Sequence, residues 1–178
     1  PSSRDLISLE LELGAAPGRE LIIRSELAKV ASSYDDILID CPPSSGLLTL
    51  NALGAAQYVL IPLQSEYYAL EGLSQLVTTI EFVKATFNQE LEILGVFMTM
   101  FDGRTNLSGQ VADEAAAHFG PKLMRTRIPR SVRLSEAPSF GKPVRYYDGA
   151  SSGAVAYRAL AHELLGMVVS QEPRLAAN

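Results

Sequence analysis

The stretch that most constrains this chain covers residues 34–51 and reads YDDILIDCPPSSGLLTLN. A short apolar run with two β-branched members, Ile37-Leu38-Ile39, stands directly before Asp40. Such a run is typical of a strand that is buried on both faces of a parallel sheet. Cys41-Pro42-Pro43 then ends the predicted strand, because proline has no N–H to donate to a sheet. A helix is predicted from Leu47 onward.

The position of Asp40 predicts a ligand site, because open α/β sheets bind ligands at the carboxyl ends of their strands. A carboxylate followed by a loop of small residues, Ser44-Ser45-Gly46, is a Walker B arrangement. In that arrangement the acid holds Mg²⁺ through a water, and the loop senses the γ-phosphate of a nucleotide. An ordinary strand that ends at a capping aspartate shows the same short pattern, so the run and the aspartate leave both interpretations open.

The rest of the chain predicts alternating strands and helices, which implies an α/β fold with a parallel sheet and helices on both faces. We find no internal repeat and no linker, so we predict one domain over residues 6–169 and a frayed tail over 170–178. Ser108 is predicted to cap the helix that it begins. The predicted strands cover 37–40, 58–62, 93–99 and 124–128, and the predicted helices cover 20–32, 48–56, 73–87, 108–118 and 153–169.

Composition narrows the class of protein. With 47% hydrophobic and 20% charged residues, the chain is typical of a globular protein. One cysteine excludes an internal disulfide framework and a CxxC metal site. No apolar run approaches the ~20 residues that span a bilayer, and the first residues lack the pattern of a signal peptide. We expect His118 and His162 to be structural or solvated, because neither has a nearby set of ligands.

Charge is distributed unevenly along the chain. Residues 121–145 contain seven basic residues and one acid, Glu136, whereas the remainder contains eight basic and 19 acidic residues. A basic segment in an acidic protein indicates a phosphate-binding surface, for a nucleotide or a nucleic acid. A solvated face whose charges pair with acids elsewhere is equally consistent with this distribution.

Four longer strings identify a family. In chain order they read YDDILIDCPPSSGLLTLNAL, IPLQSEYYALEGLSQL, TMFDGRTNLSGQV and IPRSVRLSEAPSFGKPV. Together they closely resemble the ParA/Soj chromosome-partitioning ATPases, a branch of the deviant-Walker P-loop family that also holds MinD. The resemblance runs from about Leu6 to Leu165. It implies a P-loop NTPase-like, Rossmann-like sheet and an ATP- and Mg-dependent ATPase that partitions chromosomes or plasmids.

The resemblance implies roles for residues in a nucleotide site. Asp40 matches the Walker B acid that orders the magnesium shell through a water. The matching switch II residues beside the γ-phosphate are Pro42, Pro43 and Ser44. The segments that line the adenine correspond to Met100, Phe101, Pro129 and Arg130. An apolar slot with backbone groups at its rim suits a purine, although packing in the core explains Met100 and Phe101 equally well.

The resemblance also implies a DNA surface and protein partners. Arg104 and Arg133 match arginines that bind DNA without sequence preference in an ATP-bound homodimer, and Lys122 and Arg125 would widen that patch. Phosphate contacts supply most of such affinity. The segment from Glu66 to Gly72 resembles part of the dimer interface. A ParB-type centromere-binding partner would stimulate hydrolysis. The implied location is cytoplasmic and nucleoid-associated, with no membrane partner.

The chain departs from the family pattern in two places. The phosphate loop of the family, a KGGxGKT-type deviant Walker A, has no counterpart, since the sequence holds no Gly-Lys-Thr run. We expect roughly 85 residues upstream of Pro1 to carry it, a length of two to three βα units of ~30 residues. On this expectation the intact protein hydrolyses ATP and the chain as given does not. The second departure is at residues 147–153, where many relatives carry arginines.

The sequence leaves one other function open and disfavours two. The chain could be a nucleotide-incompetent module that keeps only a DNA or partner surface. A MinD-like cell-division ATPase is disfavoured, because the terminal SQEPRLAAN is neither basic nor amphipathic. Iron–sulfur relatives are disfavoured as well, because Cys41 alone cannot supply the usual set of cluster ligands.

Overall fold

The structure is a computed structural model that describes residues 12–14, 16–41, 46–67 and 69–175, with side chains described through residue 168. The chain divides into two compact units. The first contains residues 1–59 and 74–92, and the second contains residues 60–73 and 93–178. The single domain predicted over 6–169 stays a prediction, and each unit is described by itself below.

The first unit is helical in its described part. It contains α1 (Ile22–Ala28), α2 (Leu47–Ala55), the larger part of α3 (Ala69–Thr86) and the 3-10 turns Arg19–Leu21 and Ala31–Ser33. Buried Asn51 ties α2 to the chain around α1: its amide donates to the carbonyl oxygens of Arg19 at 2.7 Å and Leu47 at 3.0 Å, and its Oδ1 accepts from Ile23 N at 3.1 Å. A buried amide needs such partners, because an unpaired polar group would cost free energy.

The sheet lies almost entirely in the second unit. Its strands are β1 (Tyr58–Gln64), β2 (Glu92–Phe101) and β3 (Leu123–Pro129), in the order β1-β2-β3, and β2 pairs with β3 in parallel. The strands predicted over 58–62, 93–99 and 124–128 are therefore confirmed. β1 continues through Pro62 to Gln64, beyond its predicted end. Proline is tolerated there because β1 is an edge strand of the described sheet.

The remaining helices and 3-10 turns of the second unit follow β2 along the chain. They are α4 (Asn106–Phe119), α5 (Val132–Glu136), α6 (Val144–Tyr147), α7 (Ser152–Leu175) and the 3-10 turns Gly120–Lys122 and Ala137–Phe140. The cap of α4 is Thr105, whose Oγ1 accepts from Ser108 N at 3.3 Å, so Ser108 lies inside the first turn instead of capping it. α7 extends to Leu175, and residues 176–178 lie outside the described residues. The frayed tail predicted over 170–178 stays a prediction.

Packing of α7 on β3 forms a core in the second unit. Leu160 of α7 is buried together with Phe97 of β2 and with Met124 and Ile128 of β3, and Leu134, Leu164 and Met167 pack around them. Alternate residues of a strand point to opposite faces. Met124 and Ile128 are therefore buried while Arg125 and Arg127 are exposed on the other face.

The strand predicted over 37–40 is wrong. These residues belong to no helix or strand, and Leu38 is 97% exposed. A strand needs a neighbouring strand to take its backbone hydrogen bonds, and the described sheet contains only β1, β2 and β3. Asp40 therefore does not follow a strand in this structure. The expectation that Asp40 shares an edge with Phe101 and Pro129 relates the two units and stays a prediction.

Candidate functional site

The carboxyl ends of β2 and β3 form the best-defined polar site of the second unit. The register pairs Val96 with Leu123, Met98 with Arg127 and Phe101 with Pro129. Between the first two pairs β3 advances four residues while β2 advances two, and between the last two pairs β2 advances three residues while β3 advances two. Each strand therefore carries one irregularity of the bulge type. Bulges often lie beside functional sites, where they re-aim side chains.

The irregularity of β2 contains Met100. Its φ of 52° lies in the left-handed region, which no other non-glycine residue adopts in the described part of the chain. That conformation costs an L-residue roughly 1–2 kcal/mol. Met100 is 39% exposed, whereas Met98 is fully buried. Packing in the core, the alternative interpretation of Met100, therefore does not account for this residue.

Phe101 joins the two strand ends. The guanidinium carbon of Arg127 lies 4.5 Å from the centroid of the Phe101 ring, a cation–π geometry. The carbonyl oxygen of Phe101 accepts a hydrogen bond from Arg130 N at 3.2 Å. The structure thus brings together three residues that were predicted to line the adenine, Phe101, Pro129 and Arg130, with the exposed Met100 preceding Phe101.

An exposed ion pair links Arg130 to the loop after β1. Arg130 Nη2 lies 3.6 Å from Glu66 Oε1, and both side chains are more than half exposed. Exposed pairs of this kind contribute little to stability, at most ~1 kcal/mol. Its importance is positional, because Glu66 begins the segment that was predicted to belong to a dimer interface. Tyr68 of that segment lies outside the described residues.

Arg104 is oriented by a neighbouring carboxylate. Its Nε and Nη2 donate to Asp102 Oδ1 and Oδ2 at 2.8 and 2.7 Å, and its backbone N–H donates to Asp102 Oδ1 at 3.1 Å. These hydrogen bonds, the side-chain bonds foremost, lower the pKa of Asp102 to about 2. The Arg104 side chain remains 88% exposed. Its guanidinium is held in one orientation while part of it faces solvent.

Arg133 belongs to a wider network. Its Nη1 donates to Glu136 Oε2 at 2.8 Å, its Nε lies 3.4 Å from Asp148 Oδ2, and Glu136 also accepts from Tyr147 Oη at 3.1 Å. The hydrogen bond to Glu136 is the main reason that the pKa of Arg133 is raised. The network connects α5 with the end of α6. It includes Tyr147 and Asp148, which stand where many relatives were expected to carry arginines.

The four basic residues that were predicted to bind DNA do not all lie at the same end of the sheet. Arg104 follows β2 and Arg133 follows β3, so both stand just past the carboxyl ends of adjacent parallel strands. Lys122 precedes β3 and Arg125 lies in its first half. At ~3.3 Å per residue, Lys122 is up to about 23 Å from the other end of the strand. The structure therefore separates Lys122 from the Arg104–Arg133 edge, with Arg125 between them.

In the first unit, Asp40 is exposed and stands beside an exposed cysteine. The Cys41 thiol contacts the Ile39 carbonyl oxygen at 3.7 Å. Desolvation, followed by the neighbouring Asp40 charge, raises the pKa of Cys41, which favours an inert thiol. The described residues contain no cluster of three or more metal-ligating side chains. Mg²⁺ often uses one carboxylate together with waters and phosphates, so Asp40 has the donor chemistry that magnesium requires.

Several expectations remain untested by this geometry. Pro42, Pro43 and Ser44 lie outside the described residues. His118 is exposed, and its ring lies edge-on to that of the adjacent Phe119, with 4.7 Å between ring centroids. No helix in the described ranges is both long enough and apolar enough to span a membrane.

The partners of the arginines were not predicted from the sequence. Glu136 could have been found, because residues three apart on a helix are neighbours and Arg133 precedes it by that spacing. Asp102, two residues before Arg104, offered a weaker local signal. Asp148 offered none, since it lies outside α5 and meets Arg133 only through the fold.

Comparisons with known proteins identify the family. A family model described as "AAA domain" matches residues 1–93. The chain is 51% identical over 174 residues to "Chromosome partitioning protein ParA" of Myxococcus xanthus, covering 98% of this chain and 62% of that protein. It is 51% identical over 164 residues to "Sporulation initiation inhibitor protein Soj" of Bacillus subtilis, covering 92% of this chain and 65% of that protein.

A solved structure agrees in fold. Cobyrinic acid a,c-diamide synthase from Mycobacterium smegmatis, with bound ADP and magnesium, matches at a TM-score of 0.77 and 36% identity over 93% of this chain and 60% of the other. The given chain thus spans under two thirds of the length of these proteins. The match of the family model, the identity to ParA and Soj and the parallel α/β fold agree with one another. The chain belongs to the AAA domain family, and over nearly its whole length it is similar to proteins named ParA and Soj.

Proposed function

We propose that the intact protein is a partitioning ATPase whose ATP-bound homodimer binds DNA without sequence preference. The observation that carries this proposal is the position of Arg104 and Arg133, both exposed, just past the carboxyl ends of two adjacent parallel strands. The names of the relatives, which refer to chromosome partitioning, support the same process. A ParB-type partner that stimulates hydrolysis and a nucleoid-associated location belong to this proposal.

The nucleotide side of the proposal places adenine beside Met100, Phe101, Pro129 and Arg130. Two features support it: an apolar ring at the strand end, and the left-handed backbone of Met100, a residue that is exposed. The Phe101 carbonyl oxygen accepts from Arg130 N and keeps a second lone pair for a contact at the rim. A purine needs such an apolar surface with hydrogen-bonding groups at its rim. The similar Mycobacterium smegmatis structure contains ADP and magnesium, and the present residues are compatible with both.

The magnesium side of the proposal rests on Asp40. This carboxylate would hold the ion through a water, and the ion would neutralise charge on the phosphates. Pro42, Pro43 and Ser44 are proposed to lie beside the γ-phosphate. The 178 residues contain no Gly-Lys-Thr run, so we expect them to bind ATP weakly by themselves, as the nucleotide-incompetent alternative requires. Calorimetry that shows micromolar ATP binding to these residues alone would contradict that expectation.

The test of DNA binding uses Arg104→Ala and Arg133→Ala in the intact ATP-bound protein. Each variant should weaken binding to any DNA sequence equally, because phosphate contacts carry no base information. The slope of log affinity against log salt should become shallower by about one unit per variant, as one fewer counterion is released. ATP hydrolysis without DNA should persist, because neither arginine is assigned to the phosphates.

The matched control is Lys122→Ala, which removes one positive charge from the other end of β3. It should leave the salt slope close to that of the wild type. If Lys122→Ala changes the slope as much as the arginine variants do, the DNA surface is not the Arg104–Arg133 edge. If ATP affinity falls in Arg133→Ala while its salt slope stays constant, Arg133 belongs to the nucleotide site instead.

A further inference from the structure

The irregularity of β3 is held by a side chain from another element. The carboxylate of Glu163 in α7 accepts hydrogen bonds from Arg125 N at 2.7 Å through Oε1 and from Thr126 N at 3.0 Å through Oε2. In a regular strand, successive N–H groups point to opposite sides, so one carboxylate cannot receive both. The register places the extra residues of β3 between Leu123 and Arg127. Glu163 therefore binds the irregular segment itself.

Packing brings Glu163 to this segment. Its neighbours on α7, Leu160 and Leu164, belong to or pack against the core that contains Met124 and Ile128 of β3. The carboxylate is partly buried, which raises its pKa, but the hydrogen bonds from Thr126 and Arg125 outweigh that effect and the pKa is lowered. Glu163 is consequently charged at neutral pH, and hydrogen bonds to a charged acceptor are stronger than those to a neutral one.

The irregularity has consequences further along β3. The extra residues place Arg127 opposite Met98 and Pro129 opposite Phe101. In that register the Arg127 guanidinium covers the Phe101 ring, and Arg130 N donates to the Phe101 carbonyl oxygen. A slip of one residue would turn every following side chain to the opposite face. It would move Ile128, now buried in the core, toward solvent.

We propose that Glu163 is a positioning residue: by binding the irregular segment of β3, it sets the register of Phe101, Pro129 and Arg130 at the strand ends. Its role in holding the register depends only on the geometry above. Its role in nucleotide binding rests on the proposed function, in which those residues line the adenine. Glu163 itself touches none of the reacting groups and acts through β3.

The first measurement is amide hydrogen exchange in the intact protein, on Glu163→Ala and Glu163→Gln. Glu114→Ala, which removes an exposed glutamate from α4, is the matched control. In Glu163→Ala the amides of Arg125 and Thr126 should exchange at least about ten-fold faster, since two charge-assisted hydrogen bonds are lost. The amide of Arg130 should also exchange faster. Glu163→Gln, which keeps an oxygen acceptor, should be intermediate, and Glu114→Ala should match the wild type.

An Arg130 amide that keeps its wild-type exchange rate while those of Arg125 and Thr126 become fast would overturn the proposal. Glu163 would then hold the irregular segment without influencing the strand end. Should Glu163→Ala fail to fold, Glu163→Gln decides the same question, because it keeps the shape of the side chain and replaces one of the two acceptor oxygens by an NH2 donor, so that one hydrogen bond is lost. Far-ultraviolet circular dichroism establishes beforehand which variants are folded.

The second measurement is steady-state ATP hydrolysis by the same variants. The KM for ATP of Glu163→Ala should rise by about ten-fold with kcat within about two-fold, because a displaced adenine edge weakens binding and leaves the phosphate chemistry in place. The KM of Glu163→Gln should lie between those of the wild type and Glu163→Ala. An unchanged KM would refute the positioning role in nucleotide binding. If the wild type hydrolyses no ATP, the proposed function fails, while the exchange of Arg130 still decides whether Glu163 sets the register.

Discussion

Two segments of this protein share a pattern and differ in outcome. Residues 37–40 and residues 98–102 both run from apolar residues to an aspartate, Asp40 in the first and Asp102 in the second. The second segment lies at the end of β2, where Met98 is fully buried and paired with Arg127. The first belongs to no strand, and Leu38 is 97% exposed. An apolar run becomes a strand only where neighbouring backbone takes its hydrogen bonds and covers its side chains.

The largest expected effect is the loss of stability in Met98→Ala, compared with that in Leu38→Ala. Met98 is fully buried in β2, so its truncation should lower the free energy of unfolding by about 2–5 kcal/mol. Leu38 is almost fully exposed, so its truncation should change that free energy by less than about 0.5 kcal/mol. Urea denaturation of both variants measures the difference. A large loss in Leu38→Ala would show that residues 37–40 are covered in solution, and the contrast between the segments would no longer hold.

A smaller effect is expected at Met100, where β2 adopts its left-handed residue. Met100→Gly should stabilise the fold by up to about 1 kcal/mol, because glycine adopts positive φ without strain. Met100→Val should destabilise it by about 1–2 kcal/mol, since a β-branched residue is least compatible with that conformation. Thermal unfolding of the two variants tests the sign. Equal destabilisation by both would indicate that the Met100 side chain, and not its backbone, controls the end of β2.

The smallest effect concerns the ionisation of Asp102, the aspartate that follows β2. The pKa of Asp102 is lowered to about 2 by its hydrogen bonds with Arg104. Its folded pKa is thus below its unfolded pKa, so the pairing contributes stability above the unfolded value and loses it as pH falls toward about 2. The pair is exposed, so the change in stability should be slight. NMR titration of the side-chain carboxyl carbon should give a midpoint near 2, moving up toward an ordinary value in Arg104→Ala.

A titration midpoint for Asp102 near 4 in the wild type would show that the pair with Arg104 does not persist in solution. Arg104 would then be free to reorient, unlike Arg133, which two carboxylates hold. Gly103→Ala is a suitable control, because it lies between the two residues and leaves both charges in place.

Local sequence determined much of this protein. Apolar runs with β-branched and aromatic residues predicted β1, β2 and β3 within a few residues, because these runs fit a buried parallel sheet and their neighbours cover them. Helical periodicity predicted α3 and α7 in the same way. Four long strings, which together resemble one family, indicated that family. They also placed Arg104 and Arg133 just after predicted strands. All of these signals lie within about twenty residues of chain, where propensity and pattern act directly.

Tertiary structure decided the rest, because contacts distant in sequence leave no local pattern. Glu163 binds backbone N–H groups 38 and 37 residues earlier in the chain. Asp148 meets Arg133 across two helices, and the register of β2 and β3 depends on irregularities that no propensity indicates. The same reason explains the failure at residues 37–40. Their composition suits a strand, but hydrogen bonding and burial depend on neighbours that a local sequence does not specify.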